Sequence, residues 1–320
     1  MTKFTAAVVQ TASVAFDPDA TVAKVDVFTK QAADKGASLV VFPEAFVGGY
    51  PKGLDFGVRV GMRTAAGRDT FRVYYDGAID VPGHHTKRLG EIAASHGVHL
   101  VIGVIERDGG TLYCTVLFFA PDGTMLGKHR KLMPTASERL IWGYGDGSTL
   151  PAFDTPLGKV GAVICWENYM PMLRMAMYAK GVSLYCAPTA DSRETWLPTI
   201  RHIALEGRCF VLSACQFTRR SDYPADYPID GDVSPDTVLM SGGSCIVNPL
   251  GELLTERVFD RDAVLTAEID MDEIARGKFD FDVAGHYARP DVFRLTVNDA
   301  AQRPMQNSTA MFGFNAQLPD

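Results

Sequence analysis

Positive charge is scarce in this sequence of 320 residues. Acidic side chains outnumber Lys and Arg by 38 to 31, which gives a net charge of −7. A nucleic acid or an anionic membrane requires clustered cations, so neither is expected as a partner. No apolar run approaches the roughly 20 residues of a membrane span. The first five residues also lack the apolar core of a signal peptide. We therefore expect a cytoplasmic location and no insertion into a membrane.

Cysteine is also sparse, and its spacing excludes two classes of site. The chain has 6 cysteines and no CxxC pair, which indicates neither a disulfide framework nor a zinc site. Most of them lie in apolar runs and are typical of small buried hydrophobes: Cys114, Cys186, Cys209 and Cys245. A glycine-rich phosphate loop is missing too, since Gly48-Gly49 and Gly242-Gly243 are too short to form one. The sequence therefore indicates neither a zinc site nor a phosphate-binding glycine loop.

What the sequence does contain is an alternation of short apolar runs and amphipathic segments. In the first half this pattern predicts strands at 6–10, 38–42, 98–105, 111–120 and 124–127, and helices at 22–36 and 86–96. In the second half it predicts strands at 160–164, 182–187 and 210–215, a hairpin at 244–254, and helices at 171–180 and 196–207. Apolar strands flanked by helices indicate buried sheets. The fold class is therefore α/β, as a four-layer α-β-β-α sandwich of two similar halves.

Two internal segments and the end of the chain lack this alternation. Residues 51–82 and 219–241 show no clear period and are predicted to be long connections, which are usually either functional or disordered. The residues after Ile274 show no strong period either and are predicted to be an extended tail.

Cys165 follows the apolar run 160–164 directly and precedes Trp166-Glu167-Asn168. In α/β enzymes, ligands bind beyond the carboxyl ends of strands. A thiol at that position is a candidate nucleophile, provided that a base or a cation promotes its ionisation. A histidine partner is possible, since His129 lies near a strand end, but nothing in the pattern indicates such a pair.

A carboxylate base is better supported than a histidine. Glu44 occupies the same position after its strand as Cys165 does after its own, and Lys131 offers a cation from a third strand end. Glu138 follows seven residues after Lys131. A lysine beside a thiol favours the thiolate and stabilises an anion that develops on a substrate.

Each of these residues also has a structural interpretation. A cysteine in an apolar strand is usually a buried hydrophobe, Glu44 is placed where a helix cap or a loop residue is common, and Lys131 belongs to a cationic cluster typical of a plain surface. Together at equivalent strand ends, however, the three favour catalysis.

Three segments carrying these residues resemble the signature segments of the nitrilase superfamily of carbon–nitrogen hydrolases. They are Phe-Pro-Glu-Ala-Phe at 42–46, His-Arg-Lys-Leu-Met-Pro-Thr at 129–135 with Glu-Arg at 138–139, and Cys-Trp-Glu-Asn-Tyr-Met-Pro at 165–171. The Cys-Trp-Glu-Asn version resembles the nitrilase branch. The resemblance runs from about residue 4 to about residue 295, and the family fold is the α-β-β-α sandwich.

The resemblance implies a role for each matching residue. Cys165 corresponds to the nucleophile, Glu44 to the general base, Lys131 to the cation that stabilises the intermediate, and Glu138 to the second glutamate that orients Lys131 and the substrate. For His129, a structural hydrogen bond is at least as well supported as a part in catalysis. The residues expected to shape the substrate pocket are Tyr50, His129, Trp142, Trp166, Asn168, Pro188 and Thr189.

The implied reaction converts an organic nitrile to a carboxylic acid and ammonia through a cysteine thioimidate and a thioester, with no cofactor. The alternatives are an amidase or a cyanide-hydrolysing enzyme of the same superfamily and, from another class, a non-catalytic scaffold. We expect a carbon–nitrogen hydrolase domain at 1–280 and a tail at 281–320 that takes part in subunit contacts. We also expect a homo-oligomer, either a dimer or a spiral filament built by the segments 51–82 and 219–241.

Overall fold

The computed structural model describes residues 3–229 and 233–302. Its main elements are two stacked sheets with helices on their outer faces. The first half contributes the strands β1 (Lys3–Gln10), β2 (Ala37–Val41), β3 (Ile79–Asp80), β4 (His99–Asp108), β5 (Thr111–Phe119) and β6 (Met125–Arg130). Its helices are α1 (Pro18–Asp34), α2 (Ala65–Asp76) and α3 (His84–His96).

The second half contributes more strands, most of them shorter. They are β7 (Phe153–Thr155), β8 (Gly158–Ala162), β9 (Leu184–Cys186), β10 (Phe210–Ser213), β11 (Phe217–Arg219), β12 (Val238–Ser241), β13 (Cys245–Val247) and β14 (Ala263–Asp270). The helices are α4 (Pro171–Ala179), α5 (Trp196–Gly207) and α6 (Asp272–Lys278), and short 3₁₀ helices lie at Ala136–Leu140, Gly147–Thr149, Cys165–Tyr169 and Arg220–Asp222.

The strands form two main sheets. The 7-stranded sheet has the order β14-β1-β2-β4-β5-β6, with β3 paired to β4, and the 5-stranded sheet has the order β13-β10-β9-β8-β7. In each sheet the central strands are parallel: β1, β2 and β4 in the first, and β8, β9 and β10 in the second. Parallel strands place their carboxyl ends at one edge of a sheet, so residues that follow them share that edge.

Alternation along β5 shows how the layers form. Cys114, Val116 and Phe118 belong to the core between the two sheets, whereas Leu117 and Phe119 pack toward the layer of α1 and α3. Successive residues of a strand point to opposite faces, so a strand covered on both sides is apolar throughout. A third core lies between the second sheet and α4 and α5. The predicted α-β-β-α sandwich is confirmed.

The aperiodic segments contain more structure than expected. The segment 51–82 has no clear period in its sequence, yet α2 and β3 lie within it, so it is not a disordered connection. Tyr74 of α2 is fully buried, and its hydroxyl accepts a hydrogen bond from Trp142 Nε1 at 3.1 Å. Thus tertiary packing stabilises a helix whose sequence pattern is weak.

The second aperiodic segment includes a two-stranded ribbon, because β11 pairs with β12; residues 230–232 lie outside the described residues. Of the predicted hairpin at 244–254, only its first part, β13, is a regular strand, with a single bridge between Val247 and Leu253. After α6, the described part of the predicted tail, 279–302, contains no helix or strand. Among the described residues, no helix combines the length and apolar character needed to cross a membrane.

Candidate active site

Three strand ends bring the candidate catalytic residues together. Glu44 follows β2, Lys131 follows β6 and Cys165 follows β8. Lys131 Nζ donates to Glu44 Oε1 at 2.6 Å and to Glu138 Oε2 at 2.7 Å. The predicted carboxylates and cation therefore form one buried cluster.

Glu44 is fully buried, yet only one of its carboxylate oxygens is engaged. Oε1 accepts from Lys131 and, at 3.6 Å, from the thiol of Cys114. Oε2 has no hydrogen-bond partner among the residues that the structure describes. Burial raises the pKa of Glu44, and the positive charge of Lys131 opposes that rise. A carboxylate with a free oxygen and an increased proton affinity is suited to act as a general base.

Glu138 holds Lys131 from the other side. Its Oε2 also accepts from the backbone N–H of Thr135 at 2.6 Å, and its Oε1 accepts from the Tyr50 hydroxyl at 2.7 Å. Burial works to lower the pKa of Lys131, but the surrounding acidic groups, Glu44 foremost, together outweigh it and the pKa is raised well above its usual range. Lys131 is therefore a permanent ammonium fixed between two carboxylates.

Cys165 begins the 3₁₀ helix Cys165–Tyr169 with a backbone φ of 51°. Its N–H donates to the carbonyl of Pro188 at 2.8 Å, and its sulfur accepts from the Thr189 hydroxyl at 3.1 Å. Burial, and then the charge of Glu44, raise the pKa of Cys165 well above its usual range. The resting side chain is thus a neutral thiol that needs a base to take its proton.

Left-handed backbone recurs at the other two signature segments. Ala45 beside Glu44 has φ 49°, and Ala136 near Glu138 has φ 48°. Non-glycine residues rarely adopt this conformation, and such strain concentrates where a side chain must be aimed. In this protein it turns the chain sharply just past the strands that carry the cluster.

Cys165 lines a cavity of about 180 Å³. Its lining residues include Tyr50, Lys52, Glu138, Trp166, Asp191 and Arg193. A neighbouring cavity of about 430 Å³ shares Tyr50, Lys52 and Glu138 with it. The nucleophile is therefore accessible to a small molecule through a polar opening.

The predicted pocket residues divide into two groups. Tyr50 and Trp166 line the cavity. Trp142 lies behind it, buried, with its ring 5.4 Å from Lys131 Nζ and 5.9 Å from the Tyr50 ring. Thr189 reaches the cavity only through its contact with the Cys165 sulfur. Trp142 and Thr189 therefore contact the catalytic residues themselves.

Three further predicted pocket residues form hydrogen bonds within the protein. Asn168 Nδ2 donates to the carbonyls of Val163 and Cys165 at 2.9 and 2.8 Å, whereas its Oδ1 is buried without a hydrogen-bond partner among the described residues. Pro188 offers only its carbonyl, to Cys165 N–H.

His129 is fully buried, and its two ring nitrogens face Thr149 O at 3.1 Å and Glu167 Oε2 at 3.2 Å. Since neither nitrogen is free for a substrate, the structure corrects the expected pocket role of His129 and supports the structural hydrogen bond instead.

Sequence reasoning missed Glu167, the buried carboxylate two residues after the thiol. Its Oε1 accepts from Leu132 N–H at 2.6 Å, and its Oε2 accepts from Ile164 N–H at 2.9 Å. Glu167 thus ties the Lys131 segment to the Cys165 turn. The only sequence signal is its spacing of three from Ile164, which is that of a capping box.

Asp191 and Arg193 were missed as well. Asp191 accepts from Trp166 Nε1 at 2.8 Å and from the backbone N–H and two guanidinium N–H groups of Arg193, whose guanidinium lies 4.8 Å from the Trp166 ring. They follow strand β9, so the reasoning that located Glu44 and Cys165 at strand ends would have found them.

Comparison with known proteins gives consistent results along the chain. The profile of the carbon–nitrogen hydrolase family matches residues 5–279. A nitrilase of Bradyrhizobium diazoefficiens is 58% identical over 98% of this chain and 97% of its own. A bifunctional nitrilase/nitrile hydratase of Nicotiana tabacum is also 58% identical, over 94% of this chain and 87% of its own.

A solved structure shares the fold. The carbon–nitrogen hydrolase of Helicobacter pylori superposes with a TM-score of 0.71, at 21% identity, over 91% of this chain and 97% of its own.

Proposed function

Because the chain belongs to the carbon–nitrogen hydrolase family, we propose that it is a nitrilase, which hydrolyses an organic nitrile to the carboxylic acid and ammonia. Relatives named nitrilase at 58% identity over nearly the whole chain support this substrate class. The observation that carries the chemistry is the buried contact of Glu44 and Glu138 with Lys131, beside a thiol that opens onto a cavity.

The first step forms a covalent bond to the nucleophile. Glu44 takes the proton of the Cys165 thiol, and the thiolate attacks the nitrile carbon. One π bond of the triple bond breaks, and its electron pair moves to nitrogen. The protonated Glu44 passes this proton to the nitrogen, which restores its carboxylate, and the product is a thioimidate. Lys131 stabilises the negative charge that develops on nitrogen.

Water completes the reaction in two further steps. Glu44 removes a proton from the first water, whose oxygen adds to the thioimidate carbon. The carbon–nitrogen bond then breaks, ammonia leaves, and a thioester remains. A second water attacks the thioester, the carbon–sulfur bond breaks, and the acid and the Cys165 thiol are released. The sum is one nitrile and two waters to one acid and one ammonia.

Release of an amide is a branch of the same pathway. If the tetrahedral adduct of the first water loses the thiol in place of ammonia, the product is the amide. An amidase or a cyanide-hydrolysing enzyme uses the same residues, so these alternatives are separated by substrate: ammonia release is compared for a nitrile, for its amide and for cyanide. A non-catalytic scaffold has no use for this buried, charged cluster.

The decisive test replaces the nucleophile. Cys165→Ala should abolish acid and ammonia production from a panel of aliphatic, aromatic and arylaceto nitriles and leave the thermal unfolding transition intact. Cys245→Ala is the matched control, because Cys245 is a buried thiol in the outer core. Turnover by the Cys165 variant would refute the proposal. So would the absence of any covalent adduct in intact-mass spectra of the wild-type protein quenched with acid during turnover of a nitrile.

We further propose a cytoplasmic homo-oligomer, either a dimer or a spiral filament, with a catalytic domain at 1–280 and a tail at 281–320 in subunit contacts. The family match to residues 5–279 supports the boundary. Exposed apolar side chains support the contacts: Met62 in the segment 51–82 is 65% exposed, and Phe293 in the tail is 77% exposed. Size-exclusion chromatography with light scattering tests this proposal, and a monomer would contradict it. A dimer that never grows larger would rule out the filament.

A further inference from the structure

Cys114 is a second buried thiol beside the catalytic cluster, and the proposed reaction does not use it. It lies in β5 and is only 1% exposed. Its neighbours on the same face of the strand, Leu112 and Val116, are apolar core residues. Apolar packing alone would explain a small hydrophobic residue at this position. The contacts of the thiol therefore decide whether Cys114 also serves the catalytic cluster.

Cys114 contacts two of the three principal catalytic residues. Its thiol donates to Glu44 Oε1 at 3.6 Å, within the longer range of hydrogen bonds that involve sulfur. Its carbonyl accepts the backbone N–H of Lys131 at 2.8 Å. Lys131 and Cys114 both donate from their side chains to Oε1 of Glu44. One residue therefore fixes the backbone of the cation and the carboxylate of the base.

We propose that Cys114 is a positioning residue, whose thiol orients the Glu44 carboxylate so that its unpartnered Oε2 serves as the base. This inference rests on the proposed function, because it assigns Glu44 the proton transfers of nitrile hydrolysis. A thiol is a weak donor, so it fixes the orientation of the carboxylate without stabilising its charge as strongly as a hydroxyl or an amide would. The thiol itself stays protonated, since burial raises the pKa of Cys114 well above its usual range.

Loss of the Cys114 thiol changes the pKa of Glu44 in a predictable direction. A hydrogen bond to the ionised form of a carboxylate favours ionisation, so its removal raises the pKa of Glu44. The acid limb of the kcat/KM profile should then move to higher pH. We expect a shift of about half a unit, which is about 0.7 kcal/mol at about 1.4 kcal/mol per pKa unit, because a thiol is a weak donor.

The test compares Cys114→Ala and Cys114→Val, which both lack a donor but differ in volume, with Cys245→Ala as the control. The expected result is the same upward shift of the acid limb in both Cys114 variants, a fall in kcat, and an unchanged limb in the control. A packing role alone would give different unfolding temperatures for Ala and Val with no shift of the limb, and this result would overturn the proposal.

A second measurement is independent of the substrate. The rate at which iodoacetamide alkylates Cys165 is followed by peptide mass spectrometry across the same pH range. The alkylation rate should fall at the pH where Glu44 becomes protonated, and in both Cys114 variants this pH should shift upward together with the acid limb of kcat/KM. An unshifted alkylation profile would overturn the proposal. If the wild-type protein hydrolyses no nitrile but the alkylation profile still shifts, then the proposed function fails and the positioning role stands.

Discussion

At the scale of single residues, the site is an arrangement of buried charge. Lys131 is surrounded by Glu44 and Glu138, and all three side chains are at most 10% exposed. Such a cluster is costly to bury, and it persists because each ammonium–carboxylate contact is short and further hydrogen bonds hold the carboxylates. The cost is consistent with catalysis, which needs a preorganised cation and a base removed from water.

The pH dependence of the reaction follows from the environment of Glu44. Burial raises its pKa above the ordinary 4.5, and only the ionised carboxylate accepts the thiol proton. We therefore predict that kcat/KM falls as the pH decreases through a value above 4.5, while the protein stays folded by circular dichroism. A profile that is flat down to pH 4.5 would contradict this assignment.

Thr189 offers a second prediction at this scale. Its hydroxyl donates to the Cys165 sulfur at 3.1 Å and accepts from Asp191 N–H at 2.9 Å. The donated bond stabilises the thiolate, so Thr189→Val should lower kcat/KM and the alkylation rate of Cys165. The expected loss is about tenfold, which corresponds to a hydrogen bond that contributes roughly 1.4 kcal/mol. Thr189→Ser retains the hydroxyl and is the control. Equal losses in both variants would indicate a packing effect instead.

At the scale of elements, the site depends on how closely the segment after β2 approaches β4. Gly103 of β4 donates its N–H to the Pro43 carbonyl at 3.1 Å, and its own carbonyl accepts from Phe46 N–H at 2.9 Å. A Cβ atom at position 103 would lie 2.3 Å from the Pro43 carbonyl oxygen and 2.7 Å from Glu44 Cα. Glycine at this position is what allows Glu44 to reach the cluster.

Gly103→Ala should therefore displace Glu44 and reduce kcat by at least tenfold, because shifts of about 1 Å in a catalytic group are costly. The matched control is Gly110→Ala, where an added Cβ would have no atom within 4 Å. Steady-state kinetics of both variants, with unfolding temperatures, measure the effect. Normal turnover by Gly103→Ala would show that the Glu44 segment adjusts freely.

At the scale of the whole molecule, the packing of two sheets creates the site. Glu44 and Lys131 follow strands of the 7-stranded sheet, whereas Cys165 follows a strand of the 5-stranded sheet. The distance between base and nucleophile therefore depends on the core between the sheets. Phe118 of β5 and Phe153 of β7 meet across this core with their ring centroids 4.9 Å apart.

Truncation of that contact should destabilise the sandwich as a unit. Phe118→Ala is expected to lower the free energy of unfolding by about 3–5 kcal/mol, as for other buried phenylalanines. The control is Val60→Ala, since Val60 is fully exposed and such changes stay within about 0.5 kcal/mol. Denaturant titration with fluorescence and circular dichroism measures both, and a loss below 1 kcal/mol would contradict the expectation.

The sequence by itself determined the layered α/β fold and the positions of Glu44, Lys131 and Cys165 just past their strands. Both depend on local hydrophobic periodicity, which is a property of neighbouring residues. It did not reveal α2, whose first turn includes Gly67, buried against Phe56, and which is stabilised by the burial of Tyr74.

Only the tertiary structure decided which residues surround the reacting groups. Glu167, Thr189 and Cys114 act across separations of 24 to 70 residues in the chain. It also assigned His129 to a buried hydrogen-bond pair away from the pocket. Contacts between distant segments depend on how the two sheets pack and on the backbone path after each strand, and no local pattern encodes either of these.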